Sequence, residues 1–162
     1  MSSIAQNIQK IEEGLPETTK LIAVTKTKAV TVLEETYQSG FRRFGENKVQ
    51  EMGEKYNLLP KDIEWHMIGH LQSNKVKYIA PFVAMIHSVD SLKVLKEINK
   101  EAKKNERVIP CLLQIFIARE ETKFGLSAEE AEEILRSSEL TKLANIRISG
   151  LMGMASNTDD RM

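Results

Sequence analysis

LIAVTK (21–26) is a short unbroken apolar run that ends on a lysine, and a helical stretch from Thr31 to Ser39 follows it, closed by Gly40. A run of this kind is expected for a strand covered on both faces, so the segment reads as one β-then-α unit. The alternation continues outward from it. FRRFGEN (41–47) precedes a helix through Met52 and Tyr56, EWHMIGH (64–70) precedes NKVKYIA, and AMIHSVD (84–90) precedes SLKVLKEINKEAKK. VIPCLLQIFI (108–117) is the most apolar strand, Ser127 with Glu130 forms a capping box opening the helix AEEAEEILRSS, and IRISGLMGM (146–154) is a sixth strand. Ahead of the repeats, Ile4, Ile8, Ile11 and Leu15 recur at helical steps and predict an amphipathic helix stopped by Gly14 and Pro16.

Strands separated by helices imply parallel pairing through right-handed crossovers, which leaves a barrel or a doubly wound open sheet. Pattern alone does not choose between them. An eight-unit barrel takes about 250 residues, whereas the 162 residues here supply six units before stopping at SNTDDRM. If a barrel is correct, the last two units are missing from this sequence.

The chain is 41% hydrophobic and 28% charged, enough apolar material for one core, so a single domain over 1–162 is expected. Its 23 basic residues balance 23 acidic ones, which gives no indication of nucleic acid, and no apolar run approaches the roughly 20 residues that span a bilayer. The N-terminus, MSSIAQNIQKIEEGL, lacks the unbroken apolar stretch of a secretory signal, and a cytoplasmic location is expected. The single cysteine, Cys111, lies inside the most apolar strand and reads as a buried small hydrophobe.

Lys26 closes the first strand, and the carboxyl ends of parallel strands are where sites are built. A lysine flanked by apolar residues can lose ammonium hydration, favouring the neutral amine that attacks an aldehyde to form a Schiff base. A lysine reaching from a strand end to water is the bland alternative. Asn47 closes the second strand at the same edge and could hold a cofactor oxygen or cap the helix that follows. The third strand and its turn crowd Trp65, His66, Gly69, His70, Gln72, Asn74 and Lys75 together. His66 and His70 are four apart, but the run reads as strand plus turn with no matching third ligand nearby, so no metal site is expected. There is no GxGxxG and no P-loop. Lys123 and Gly125 lie in the loop after the fifth strand, where a solvated lysine is the ordinary reading.

Taken together, AVTKTK (23–28), FGENKVQE (44–51), WHMIGHLQSNK (65–75), TKFGL (122–126) and SGLMGMAS (149–156) resemble, in order and spacing, the pyridoxal phosphate homeostasis proteins. The likeness runs from about residue 5 to the end, and the third piece is the most diagnostic. It implies an α/β fold, a (β/α)8 TIM-type barrel like the N-terminal domain of alanine racemase. It also implies pyridoxal 5′-phosphate carried on Lys26, Asn47 beside the ring, and His66 as a further candidate contact. The resemblance further implies a monomer that binds, stores and delivers the cofactor. Apo-enzymes that use the cofactor are candidate recipients, and no established turnover is implied. The family's final strand, with an arginine facing the pyridine nitrogen and a glycine and threonine that hold the phosphate with a preceding serine loop, has no counterpart here. If the polypeptide ends at Met162, weak cofactor binding and an exposed apolar sheet edge are expected.

Two other functions fit the same residues. One is a small racemase or decarboxylase working through the same Schiff base; racemisation needs a second acid/base opposite the first, and Tyr37, Tyr56 and Tyr78 all fall in helical segments. The other is a barrel scaffold for a different phosphorylated metabolite, with Lys26 serving as a charge. Lys28 and Lys123 stand open as second docking points.

Overall fold

The computed structural model describes residues 3–117 and 124–154. It opens with α1 (Ile4–Glu13), whose N-terminus carries a capping box absent from the sequence reading: the Gln6 N–H donates to Ser3 Oγ at 3.3 Å and the Ser3 N–H to Gln6 Oε1 at 2.8 Å. The alternating units follow as β1 (Ala23–Val24), α2 (Val30–Gln38), β2 (Arg43–Glu46), α3 (Val49–Leu58) and β3 (Glu64–Met67). A 3-10 turn at Ser73–Lys75 runs into the one-turn helix α4 (Val76–Ile79). Then come β4 (Met85–Val89), α5 (Leu92–Lys104), β5 (Ile109–Ile115), α6 (Ala128–Arg136) and β6 (Ile146–Gly153). The capping box expected at α6 is present, with the Glu130 N–H donating to Ser127 Oγ at 3.1 Å and the Ser127 N–H to Glu130 Oε2 at 2.8 Å.

All six strands pair in parallel, in the order β1-β2-β3-β4-β5-β6. A doubly wound sheet reverses its strand order at a switch point, and this one does not. Each right-handed crossover therefore places its helix on the same side, which is the arrangement of a (β/α) barrel wall.

The register sorts the two faces of that wall. Ala23, Phe44 and Trp65 stand in one row and Val24, Gly45, His66 and Met85 in the next. Alternation puts Phe44, Trp65, Met67, Ile86, Cys111 and Leu113 on the helix side, where all are fully buried. The opposite face carries Ile22, Val24, Gly45, His66, Ile68 and His87. It is tight at Gly45, where a Cβ would lie 3.0 Å from Ile68 Cδ1 and 3.1 Å from Ile22 Cγ2. Val24 on this face is 52% exposed and Leu151 on β6 is 64% exposed, so each outer strand of the described sheet shows apolar surface. No helix among the described residues is long and apolar enough to cross a membrane.

One expectation is corrected. The first strand is not 21–26: only Ala23–Val24 pair as strand, and Lys26 sits in a turn two residues beyond. Strand character stops because Thr25–Lys28 closes as a tight turn, the Lys28 N–H donating to Thr25 O at 3.1 Å with Thr27 at φ 62°.

Candidate functional site

Lys26 occupies the turn at the carboxyl edge of β1, and its side chain is exposed. The apolar neighbours read from the sequence do not enclose it, because Val24 is itself exposed and the turn lifts the lysine off the sheet. The Lys26 side chain is therefore open to solvent rather than enclosed by apolar neighbours. Lys28 is likewise exposed, and Lys123 lies outside the described residues.

The turn itself is tied down from below. Lys55 on α3 is 5% exposed and Glu46 at the end of β2 is 0% exposed. All three Lys55 Nζ protons are used, donating to Thr25 O at 2.8 Å, Glu46 Oε1 at 2.7 Å and Glu51 Oε1 at 2.7 Å. Glu46 Oε1 also accepts from the Thr25 hydroxyl at 2.6 Å, and Glu51 Oε1 from the Thr27 N–H at 2.6 Å. The Lys55 hydrogen bond, aided by that backbone N–H, holds the Glu51 carboxyl below its usual range against the opposing effect of desolvation. Glu46 Oε2 is buried with no hydrogen-bond partner among the described residues. None of Glu46, Glu51 or Lys55 was singled out from the sequence; the Glu51/Lys55 spacing marks an i,i+4 pair, which alone reads as ordinary helix surface.

Asn47 follows β2 at the same edge, partly buried, and its side-chain amide makes no hydrogen bond among the described residues. It does not cap α3, whose N-cap is Lys48 without a side-chain cap bond. Gly69 fixes where its backbone lies: a Cβ at 69 would stand 2.4 Å from Asn47 O and 2.6 Å from Asn47 Cα. A cavity of about 640 Å³ opens beside Asn47, between the start of α3 and the 3-10 turn, and Lys48, Gln50, His70, Lys75 and Tyr78 contribute to its walls. His70 stacks on Phe124, ring centroids 4.0 Å apart, with its Nδ1 3.2 Å from Asp90 Oδ2. Phe124 is thereby brought against the segment that follows β3.

His66 lies deeper, in the same register row as Val24, and is 8% exposed. Its Nδ1 is 2.9 Å from Nε2 of His87 on β4, one proton serving the contact, and its own Nε2 is buried without a hydrogen-bond partner among the described residues. Burial, with the positive charges that His87, Arg43 and Lys20 can present, pushes His66 down to about 4, and burial also lowers His87. Both rings are thus neutral near pH 7. His66 and His70 turn to different partners, and no cluster of three or more potential metal-binding side chains occurs among the described residues. Cys111 is fully buried, and burial pushes its thiol up to about 12, the inert small hydrophobe read from the sequence.

This arrangement, parallel strands in sequence order with polar groups gathered at their carboxyl edge, is that of the alanine racemase N-terminal domain. The family model of that domain, "Alanine racemase, N-terminal domain", matches residues 1–162. Alanine racemase from Bartonella henselae shares the fold with a TM-score of 0.72 at 16% identity, over 95% of this chain and 43% of its own. A pyridoxal phosphate homeostasis protein of Aquifex aeolicus (strain VF5) is 40% identical over 156 residues, 94% of this chain and 68% of its own length. One from Escherichia coli (strain K12) is 31% identical over 168 residues, 95% and 71% respectively. PipY of Synechococcus elongatus PCC7942, solved with pyridoxal phosphate bound, superposes with a TM-score of 0.85 at 32% identity, covering 96% of this chain and 72% of PipY. The chain belongs to the alanine racemase N-terminal domain family and, within it, to the pyridoxal phosphate homeostasis proteins.

Proposed function

We propose that this chain carries pyridoxal 5′-phosphate as a Schiff base on Lys26 and takes part in keeping the intracellular vitamin B6 and amino-acid pools in balance, without catalytic turnover of its own. The observation that carries the reading is the pairing of two unengaged groups at one sheet edge. Lys26 after β1 is exposed, and the Asn47 amide after β2 is without a hydrogen bond among the described residues. PipY, at 32% identity, binds this cofactor on the same fold.

The residues present fit the group. Bound pyridoxal phosphate supplies an aldehyde that an amine can capture reversibly. Lys26 offers the amine and Asn47 a donor and acceptor for a ring substituent. His66, neutral and with a buried Nε2 that has no hydrogen-bond partner among the described residues, is a polar group on the floor of the same face. Among the described residues no side chain is assigned to the phosphate.

Handling is preferred to catalysis because two of the three tyrosines are engaged elsewhere, and the third, Tyr78, lines the cavity beside Asn47. The Tyr37 hydroxyl donates to Asp62 at 2.8 Å, Tyr56 stacks on Phe82 at 3.8 Å, and Tyr78 projects from α4. Delivery to apo-enzymes, a monomeric state and a cytoplasmic setting belong to the same proposal. The test is an absorbance spectrum with pyridoxal phosphate before and after borohydride, followed by peptide mass mapping. A fixed adduct on the Lys26 peptide that disappears in Lys26→Ala is expected; an adduct retained in that variant refutes the assignment. Racemisation of any common amino acid well above the rate of free cofactor would refute the absence of turnover.

A further inference from the structure

The two peptide groups that flank the Lys26 Cα are each held by the same helix. The carbonyl of Thr25 belongs to the peptide before Lys26 and accepts from Lys55 Nζ at 2.8 Å. The N–H of Thr27 belongs to the peptide after it and donates to Glu51 Oε1 at 2.6 Å. Fixing both planes fixes φ and ψ of the residue between them, and with them the direction of its Cα–Cβ bond. Thr27 meanwhile sits at φ 62°, a conformation that a β-branched residue adopts only when its surroundings impose it. Two contacts bear on it here, the Thr27 N–H bond to Glu51 and the closure from Lys28 to Thr25.

The arrangement is more than core filling. Lys55 and Glu46 are almost wholly withdrawn from water and one Glu46 oxygen has no partner among the described residues, so the cluster is a costly way to occupy the space between α3 and β2. What it secures is the conformation of a surface turn, reached from Glu46 and from one face of α3.

We propose that Glu51 and Lys55, backed by Glu46, are positioning residues for Lys26: they set the turn from which its amine meets a carbonyl ligand. The proposal rests on the reading that Lys26 carries pyridoxal phosphate. It predicts that reach, more than charge, is what Glu51 supplies, since the Thr27 N–H needs an acceptor at that distance.

Three variants of the full chain separate the possibilities: Glu51→Ala removes the acceptor, Glu51→Asp keeps the charge but shortens the arm, and Glu51→Gln keeps the arm without the charge. Each is titrated with pyridoxal phosphate, reading the visible adduct band and the borohydride-fixed Lys26 peptide, with the thermal midpoint measured alongside. Loss of a charge-assisted hydrogen bond predicts half-saturation at about tenfold higher cofactor for Ala and Asp. Gln should stay within about threefold of the parent. A merely structural role would lower the thermal midpoint while folded protein still titrated like the parent, and Gln would not rescue. If Ala does not fold, Asp decides. Parent-like titration of Ala or Asp, with the parent's adduct confirmed on Lys26, overturns the positioning role alone. A parent that forms no adduct on Lys26 overturns the cofactor reading and this proposal with it.

Discussion

Gly69→Ala is the sharpest steric test of the site's geometry. The added Cβ would lie 2.4 Å from Asn47 O, 2.6 Å from Asn47 Cα and 2.9 Å from Asn47 C, all backbone atoms. Ordinary contact between such atoms begins near 3.5 Å, so the two strand ends must separate by about 1 Å. No rotamer change relieves a backbone clash, and the cost falls at the upper end of the overpacking range, about 3 kcal/mol. For a chain of this size each kcal/mol moves the thermal midpoint by roughly 2–4 °C, giving a drop of about 6–12 °C. Gly53→Ala is the control, since a Cβ there meets nothing within 4 Å and the residue lies inside α3. It should stabilise by about 1 kcal/mol, raising the midpoint by roughly 2–4 °C. Neither glycine has a positive φ, so backbone strain does not blur the comparison. Thermal unfolding followed by far-ultraviolet circular dichroism reads both. A Gly69→Ala midpoint indistinguishable from the parent's would refute the close approach of residues 47 and 69.

The histidine pair predicts an acid-side loss of stability. His66 is pushed from its ordinary 6.5 to about 4 in the folded chain, so the folded state binds fewer protons than the unfolded one. The stabilisation is fully present above pH 6.5 and fades as pH falls toward 4. A decline of about 2 kcal/mol between pH 7.5 and 4.5 in urea titrations is expected. The decline should shrink in His66→Gln, and an unchanged slope in that variant would remove His66 as its source. Cys111, buried with its thiol near 12, should resist thiol reagents in the folded state and react only as the chain unfolds. Rapid labelling under native conditions would contradict that burial.

Most element positions were legible because each strand is an apolar run and each helix carries its own period. The α6 capping box is local chemistry, and Ser127 and Glu130 stand where their three-residue spacing put them. Strand order was not legible: a barrel wall and a doubly wound sheet use the same βα alternation, and only pairing between distant segments separates them. The end of β1 was misplaced for a related reason. Val24, Thr25 and Lys26 read as continuing strand, but the closure from Lys28 to Thr25 and the Glu51 contact with Thr27 arrive from outside the run.

The site divides along the same line. Lys26 and Asn47 could be found because residues that end strands are brought to one edge by any parallel fold, whatever the strand order. The groups that shape the site answer to contacts across the sequence: Thr27 meets Glu51 24 positions away, and His66 meets His87 21 positions away. A separation of that size is one βα step in this chain, so each partner sits on the neighbouring unit. The polar groups beneath Lys26 are thus supplied by the second unit, and the ring beside His66, itself on β3, by β4 of the fourth unit. On the proposed reading, the lysine defines the chemistry from its own turn, while its direction depends on whether the next strand and helix have docked. Cofactor capture at Lys26 should therefore report the packing of α3 against β1 and β2, which local sequence around the lysine does not encode.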